Sequence, residues 1–172
     1  MMCRAVRLMP LIAAISFWSD LGPTARAEED DTATLAAALK TAKATLQDGL
    51  RASKARGTPI SAKFEIEDGK LQLSIYTMKG NDFIEVVADP KAGAIAYAQE
   101  ITDAMDLNEA IEQQAAVAKA KVPLLAAADT AVNENAGSRA VSIVPELTNG
   151  QATAEVTLLT GNTFKKVTEK LD

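Results

Sequence analysis

Apolar residues recur along this chain with two different periods. Leu35, Leu39, Leu46 and Leu50 fall on one face of a helix with 3.6 residues per turn, with alanines filling the steps between them. The spacing predicts an amphipathic helical segment that Gly57 and Pro59 bring to an end. From Ile60 the period becomes two: Ile60, Ala62, Phe64 and Ile66 point one way, and Ser61, Lys63, Glu65 and Glu67 the other. Asp68-Gly69 is a tight-turn signal, after which Leu71, Leu73 and Ile75 alternate with polar residues as the second arm of a hairpin. Lys79-Gly80-Asn81-Asp82 turns into a strand over 83–88, and Asp89-Pro90-Lys91-Ala92-Gly93 turns into a short strand over 94–98.

The same order returns at a constant spacing of 81 residues, which pairs Gly69 with Gly150, Gly80 with Gly161, Asn81 with Asn162, Phe83 with Phe164 and Val86 with Val167. A constant offset through two turns and a strand is the mark of an internal duplication. In the second copy the helical part is expected over 107–135, opened by Asp106 with Glu109 three residues on and split at Pro123. Its strands are expected around Val141 and Ile143, around Ala152 to Leu158, and over 164–170. The fold class predicted is α+β, as two modules, each a helical segment packed on an antiparallel β-meander.

The first residues read differently. Arg4 and Arg7 precede a short apolar run from Leu8 to Trp18, and Ala25-Arg26-Ala27 offers a small-residue cleavage site. That is the pattern of a secretory signal peptide over 1–27, too short and too interrupted by Pro10, Ser16 and Asp20 for a stable membrane span. The expected organisation is then signal 1–27, acidic leader 28–34, first module 35–98, linker 99–106 and second module 107–172, in a periplasmic or secreted protein. The whole chain carries a net charge of −5, and loss of the signal removes more positive than negative charge. A surface of that sign repels phosphate backbones, so nucleic acid is not an expected partner.

Composition narrows the chemistry further. The single Cys and single Trp, Cys3 and Trp18, both lie in the signal, and the chain has no His. Residues 28–172 therefore hold no thiol and no imidazole, which excludes disulfides, His- or Cys-ligated metals and nucleophile pairs that rely on His. No phosphate-cradling or nucleophile-elbow motif is present. No catalytic residue and no cofactor are assigned, and an enzyme is not expected.

The segment I-E-V-V-A-D-P-K-A-G-A-I, Ile84 to Ile95, following a helix and an Asp-Gly hairpin, resembles the closing pattern of the PepSY domain, V-x-V-D-x-x-T-G-x-V, with Ala92 in the place of the usual Thr. The second copy departs from it, carrying Glu169-Lys170 where Ala88-Asp89 stand in the first. The resemblance implies an extracytoplasmic, non-catalytic binding module, with an exported protein or a peptidase as the partner and peptidase inhibition as one form of its role. Tyr76, opposite Ile75 in the alternation, is the expected exposed aromatic for such a contact. Phe64, Phe83 and Phe164 are expected in the core.

A second expectation comes from the acidic residues. Glu100, Asp103, Asp106 and Glu109 recur every third position, in a spacing that runs on to Glu112, and Glu65, Glu67 and Glu85 come from neighbouring strands. Hard cations such as Ca²⁺ or a lanthanide take six or more oxygen ligands, so these carboxylates are the candidate metal ligands of an alternative, cation-binding protein. Steps of three drift around a helix, however, so the first group needs the fold to bring it together.

Overall fold

A computed structural model describes the backbone of residues 23–172 and the side chains of residues 31–172. Most of the expected signal peptide, residues 1–22, lies outside the described residues. The elements in chain order are α1 (Pro23–Leu39), α2 (Leu46–Ser53), β1 (Thr58–Glu67), β2 (Lys70–Lys79), β3 (Asp82–Ala88), β4 (Ile95–Glu100), α3 (Ala104–Val117), α4 (Leu124–Glu134), β5 (Arg139–Thr148), β6 (Gln151–Thr160) and β7 (Thr163–Lys170). Over the described residues the fold is α+β, with four helices on one seven-stranded antiparallel sheet in the order β4-β3-β2-β1-β5-β6-β7. Two meanders thus meet edge to edge at β1 and β5, through the pairs Ala62↔Ile143 and Lys63↔Ser142. Among the described residues no helix is long and apolar enough to cross a membrane.

The duplication seen in the sequence is reproduced by the backbone. β1 and β5, β2 and β6, and the starts of β3 and β7 are each displaced by the same 81 positions. Asp68 and Gly69 have φ of 50° and 72°, and their counterparts Asn149 and Gly150 have 52° and 80°. These left-handed pairs are what a two-residue hairpin turn requires if its twist is to match the strands it joins. Even the irregularities repeat, since β1 is bulged between Pro59 and Ser61 and β5 between Ala140 and Ser142. The bulge also corrects one expectation: the extra residue breaks the alternation, so Ile60 joins a separate apolar cluster with Tyr76 and Phe83 instead of lining up with Ala62 and Phe64.

The expected first helix is two helices. The chain turns at Lys40–Thr41 and starts again at Thr45, whose hydroxyl accepts from the Asp48 N–H while the Asp48 carboxylate accepts from the Thr45 N–H, a complete capping box. The intervening loop is tied to the sheet, because the N–H groups of Lys43 and Ala44 both donate to the Pro90 carbonyl at 3.0 Å. In the second copy the N–H groups of Lys121 and Val122 donate in the same way to the Leu171 carbonyl. Pro123 does separate α3 from α4, as its ring dictates. The cap of α3 is Asp103, which accepts from the N–H groups of Met105 and Asp106, so the helix begins earlier than the Asp106–Glu109 spacing implied and takes in the last three residues of the expected linker, while β4 takes the first two.

Paired residues on adjacent strands share a face of the sheet, which fixes the layers. Ala62, Phe64, Leu73, Ile75, Val86, Ile143 and Val156 lie on one face and are buried beneath α1, α2 and α4 in a core that runs through both copies. Phe64 is in this core and Phe164 is partly buried against it. The opposite face carries Ser61, Lys63, Glu65, Tyr76 and Glu85. It is not fully wet: α3 lies across it, and Ala110 of α3 closes over Ile60, Tyr76, Phe83 and Ile101.

Candidate functional site

Because β1 and β5 pair at only two positions, the strands part beyond them, and α3 bridges the opening. The result is a groove of about 620 Å³ walled by Ser61 and Lys63 of β1, Val144 to Leu147 of β5, and Glu109, Glu112, Gln113 and Ala115 of α3. Its charged residues are Glu109, Glu112 and Glu146 against the single cation Lys63. Leu147, 38% exposed, gives the wall an apolar stretch.

Lys63 is held by carboxylates on two sides. Its Nζ lies 2.7 Å from Glu65 Oε2, and Glu109 and Asp106 of α3 add their negative potential. Burial pushes its pKa down, but the Glu65 hydrogen bond and these charges prevail and hold the ammonium above its ordinary range. Burial pushes the Glu65 carboxyl up in turn, and hydrogen bonds from Lys63, Ser74 and Gln72 outweigh it and keep the group below the usual carboxylate range. The pair is therefore fixed in its charged form across the neutral range.

Gln113 is the anomaly in this wall. Only 8% of it is exposed, its Oε1 is buried without a hydrogen-bond partner, and no hydrogen bond to its amide is made among the described residues. A buried amide left unpaired costs about 1–3 kcal/mol, so such groups are rare unless a further partner satisfies them. Gln113 lines the groove, so a shift of its side chain on binding would offer this amide to a bound group as acceptor or donor.

Tyr76 is 8% exposed, beneath α3, so it is not an exposed partner contact. Burial first, and then the charge and hydrogen bond of Asp106, raise its hydroxyl well above the ordinary tyrosine range. The exposed ring on this sheet is Tyr97 of β4, 46% exposed. The seven carboxylates do not converge. Glu65 is committed to Lys63, Glu85 accepts from Gln99 at 2.9 Å, Asp103 caps α3, and Asp106 faces Tyr76. Glu67 is exposed at the β1–β2 hairpin, and Glu100 lies at the end of β4 on the other face of the sheet from Glu65 and Glu85. Only Glu109 reaches the groove. Among the described residues no group of three or more carboxylates is placed to hold a metal ion.

Gln113 and Glu146 were not distinguishable in the sequence, because nothing local announces that α3 crosses to the second face; Glu112 was marked only as a member of the acidic spacing. Arg139 was likewise unmarked. It reaches from β5 into the α1–α2 junction, where its guanidinium donates to the carbonyls of Leu39 at 2.9 Å, Ala42 at 3.4 Å and Ala44 at 2.9 Å, and lies 5.2 Å from the centre of the Phe64 ring. Burial lowers its pKa, and among the described residues no carboxylate neutralises it.

The sequence matches no protein-family model and no curated protein sequence. A crystal structure of a putative lipoprotein from Clostridium difficile 630 is similar over 76% of this chain and 88% of that one, with 11% identity and a TM-score of 0.43. The PepSY resemblance thus rests on the Ile84–Ile95 segment and the order of elements around it.

Proposed function

We propose that this is an exported, non-catalytic PepSY-like binding protein that engages a segment of another cell-envelope protein, a peptidase being one candidate, through the groove between α3 and the β1–β5 seam. The observation that carries this reading is the unpaired amide of Gln113 in the wall of an open, acidic groove. A bound segment would supply the missing hydrogen bond through its backbone and set a basic side chain among Glu109, Glu112 and Glu146. The absence of thiol and imidazole from residues 28–172 supports binding over catalysis. Export is supported by the Arg4–Ala27 pattern alone. The dispersal of the seven carboxylates leaves the cation-binding alternative without a supporting observation.

The test is affinity capture from a cell-envelope extract with C-terminally tagged protein, beside a variant carrying Glu109→Lys, Glu112→Lys and Gln113→Leu. The first two sites are exposed on α3, and the third replaces an unsatisfied buried amide with an apolar side chain of similar size. The wild type is expected to retain a partner that the triple variant loses, while both show the same circular dichroism and melting temperature. Equal retention by the two proteins would place the contact elsewhere.

A further inference from the structure

The two copies differ at one place where their backbone hydrogen bonds repeat. In the helix junctions the correspondence runs 78 positions apart: Ala42 N–H bonds to Leu39 O as Ala120 N–H bonds to Val117 O, and Lys43 and Ala44 are tied to Pro90 as Lys121 and Val122 are to Leu171. Leu39, Ala42 and Ala44 thus correspond to Val117, Ala120 and Val122. The first three are the residues whose carbonyls hold the Arg139 guanidinium. In the strands, 81 positions apart, the counterpart of Arg139 is Thr58. The helix junction of the second copy therefore has the carbonyl cradle, but the strand of the first copy that faces it brings Thr58 and no arginine. In its place is a cavity of about 280 Å³ lined by Val117, Ala120 and Val122 together with Thr58.

We propose that this cavity is a vacated arginine site that takes a guanidinium group from outside the chain, as the arginine side chain of a bound protein segment. Among the described residues the carbonyls of Ala120 and Val122 accept no hydrogen bond. Leu50, Pro59, Leu124 and Leu125 supply apolar walls for the methylene stem of such a side chain. Lys54 and Lys121 at the rim do not exclude a cation, since Lys40 lines the occupied site and Lys121 itself stands where Lys43 does. A planar group with several donors matches three carbonyls better than a single ammonium does. The site is separate from the Gln113 groove and does not depend on the function proposed for it.

The test uses N-acetyl-arginine amide as probe and backbone-amide NMR of the whole protein as readout. Saturable shifts are expected at Thr58, Ala120, Lys121 and Val122 and not at Lys43 or Ala44, with several-fold smaller shifts for N-acetyl-lysine amide. Thr58→Arg is expected to fill the cavity from within, abolish the shifts and raise the melting temperature. In Arg139→Thr, which empties the paired site, the same probe should produce new shifts at Lys43 and Ala44, so the inference stays testable if Thr58→Arg does not fold. Absence of saturable shifts in wild type, equal response to the lysine probe, or shifts unchanged in a folded Thr58→Arg protein would each overturn it. So would an Arg139→Thr protein whose emptied cradle ignores the probe.

Discussion

Gly49 lies on the buried side of α2, where a Cβ would stand 2.6 Å from Leu73 Cδ2, 3.0 Å from Leu73 Cγ and 3.1 Å from Ile75 Cδ1. Helix propensity alone would favour alanine there by about 1 kcal/mol. Leu73 and Ile75 are both wholly buried, however, and overpacking a filled core costs about 1–3 kcal/mol, so the steric effect wins. Gly49→Ala is expected to lower the urea midpoint by an amount equivalent to about 1 kcal/mol, with an unchanged slope, as a chemical denaturation series would read directly. A raised midpoint would show that α2 rides higher on the sheet than described. The sequence does not disclose this constraint, because a glycine within a helical pattern looks the same whether it is tolerated or required. Tyr76 has a similar history: alternation assigns it correctly to the face opposite Ile75, but period two says nothing of what covers that face.

Among the elements, strands and hairpins were the most legible, since an alternating apolar pattern bounded by Asp-Gly or Asn-Gly determines both pairing and register. The β1 bulge escaped notice because one extra residue leaves the composition of a strand unchanged while reversing its later faces. The break between α1 and α2 was hidden because its leucines keep helical phase across the loop. Its signal was the Thr45–Asp48 spacing, three residues apart like other capping boxes. That cap gives a pH-dependent prediction. Hydrogen bonds from the Thr45 backbone N–H first, then from its hydroxyl, hold the Asp48 carboxyl below its ordinary value of 3.8. A carboxyl lowered by folding contributes its full stability above the unfolded value and loses it as the pH falls through the lowered one. Asp48→Asn keeps an acceptor for the Thr45 N–H but removes the charge, and is therefore expected to cost about 0.3–1 kcal/mol near neutral pH, with the difference shrinking below about pH 4. Paired thermal melts at pH 7 and pH 3 would check this, and an equal difference at both would mean that the charge is not what holds the box.

At the scale of the molecule, the sequence announced two copies but not that they form one sheet, because β1–β5 pairing joins residues far apart and leaves no local pattern. The seam consists of two residue pairs, yet it is not the only tie. Gln47 of α2 donates to Asp129 of α4 at 3.2 Å, Arg139 of the second copy holds the α1–α2 junction of the first, and one apolar core crosses the seam from Phe64 to Val156. Modules near 60 residues bury only about 60% of their surface and are marginal alone, so these ties are expected to make unfolding a single event. Ile143, fully buried and opposite Ala62 at the seam, tests this. Ile143→Ala should cost about 2–5 kcal/mol. If the halves are coupled, native-state hydrogen exchange will show the most protected amides of β2 and β6 losing protection by the same factor, although only β6 pairs with the mutated strand. If β2 keeps its wild-type protection while β6 loses it, the halves unfold separately. In that case the groove, which needs β1, β5 and α3 together, would open with the less stable half, and binding in it would tie the two halves together.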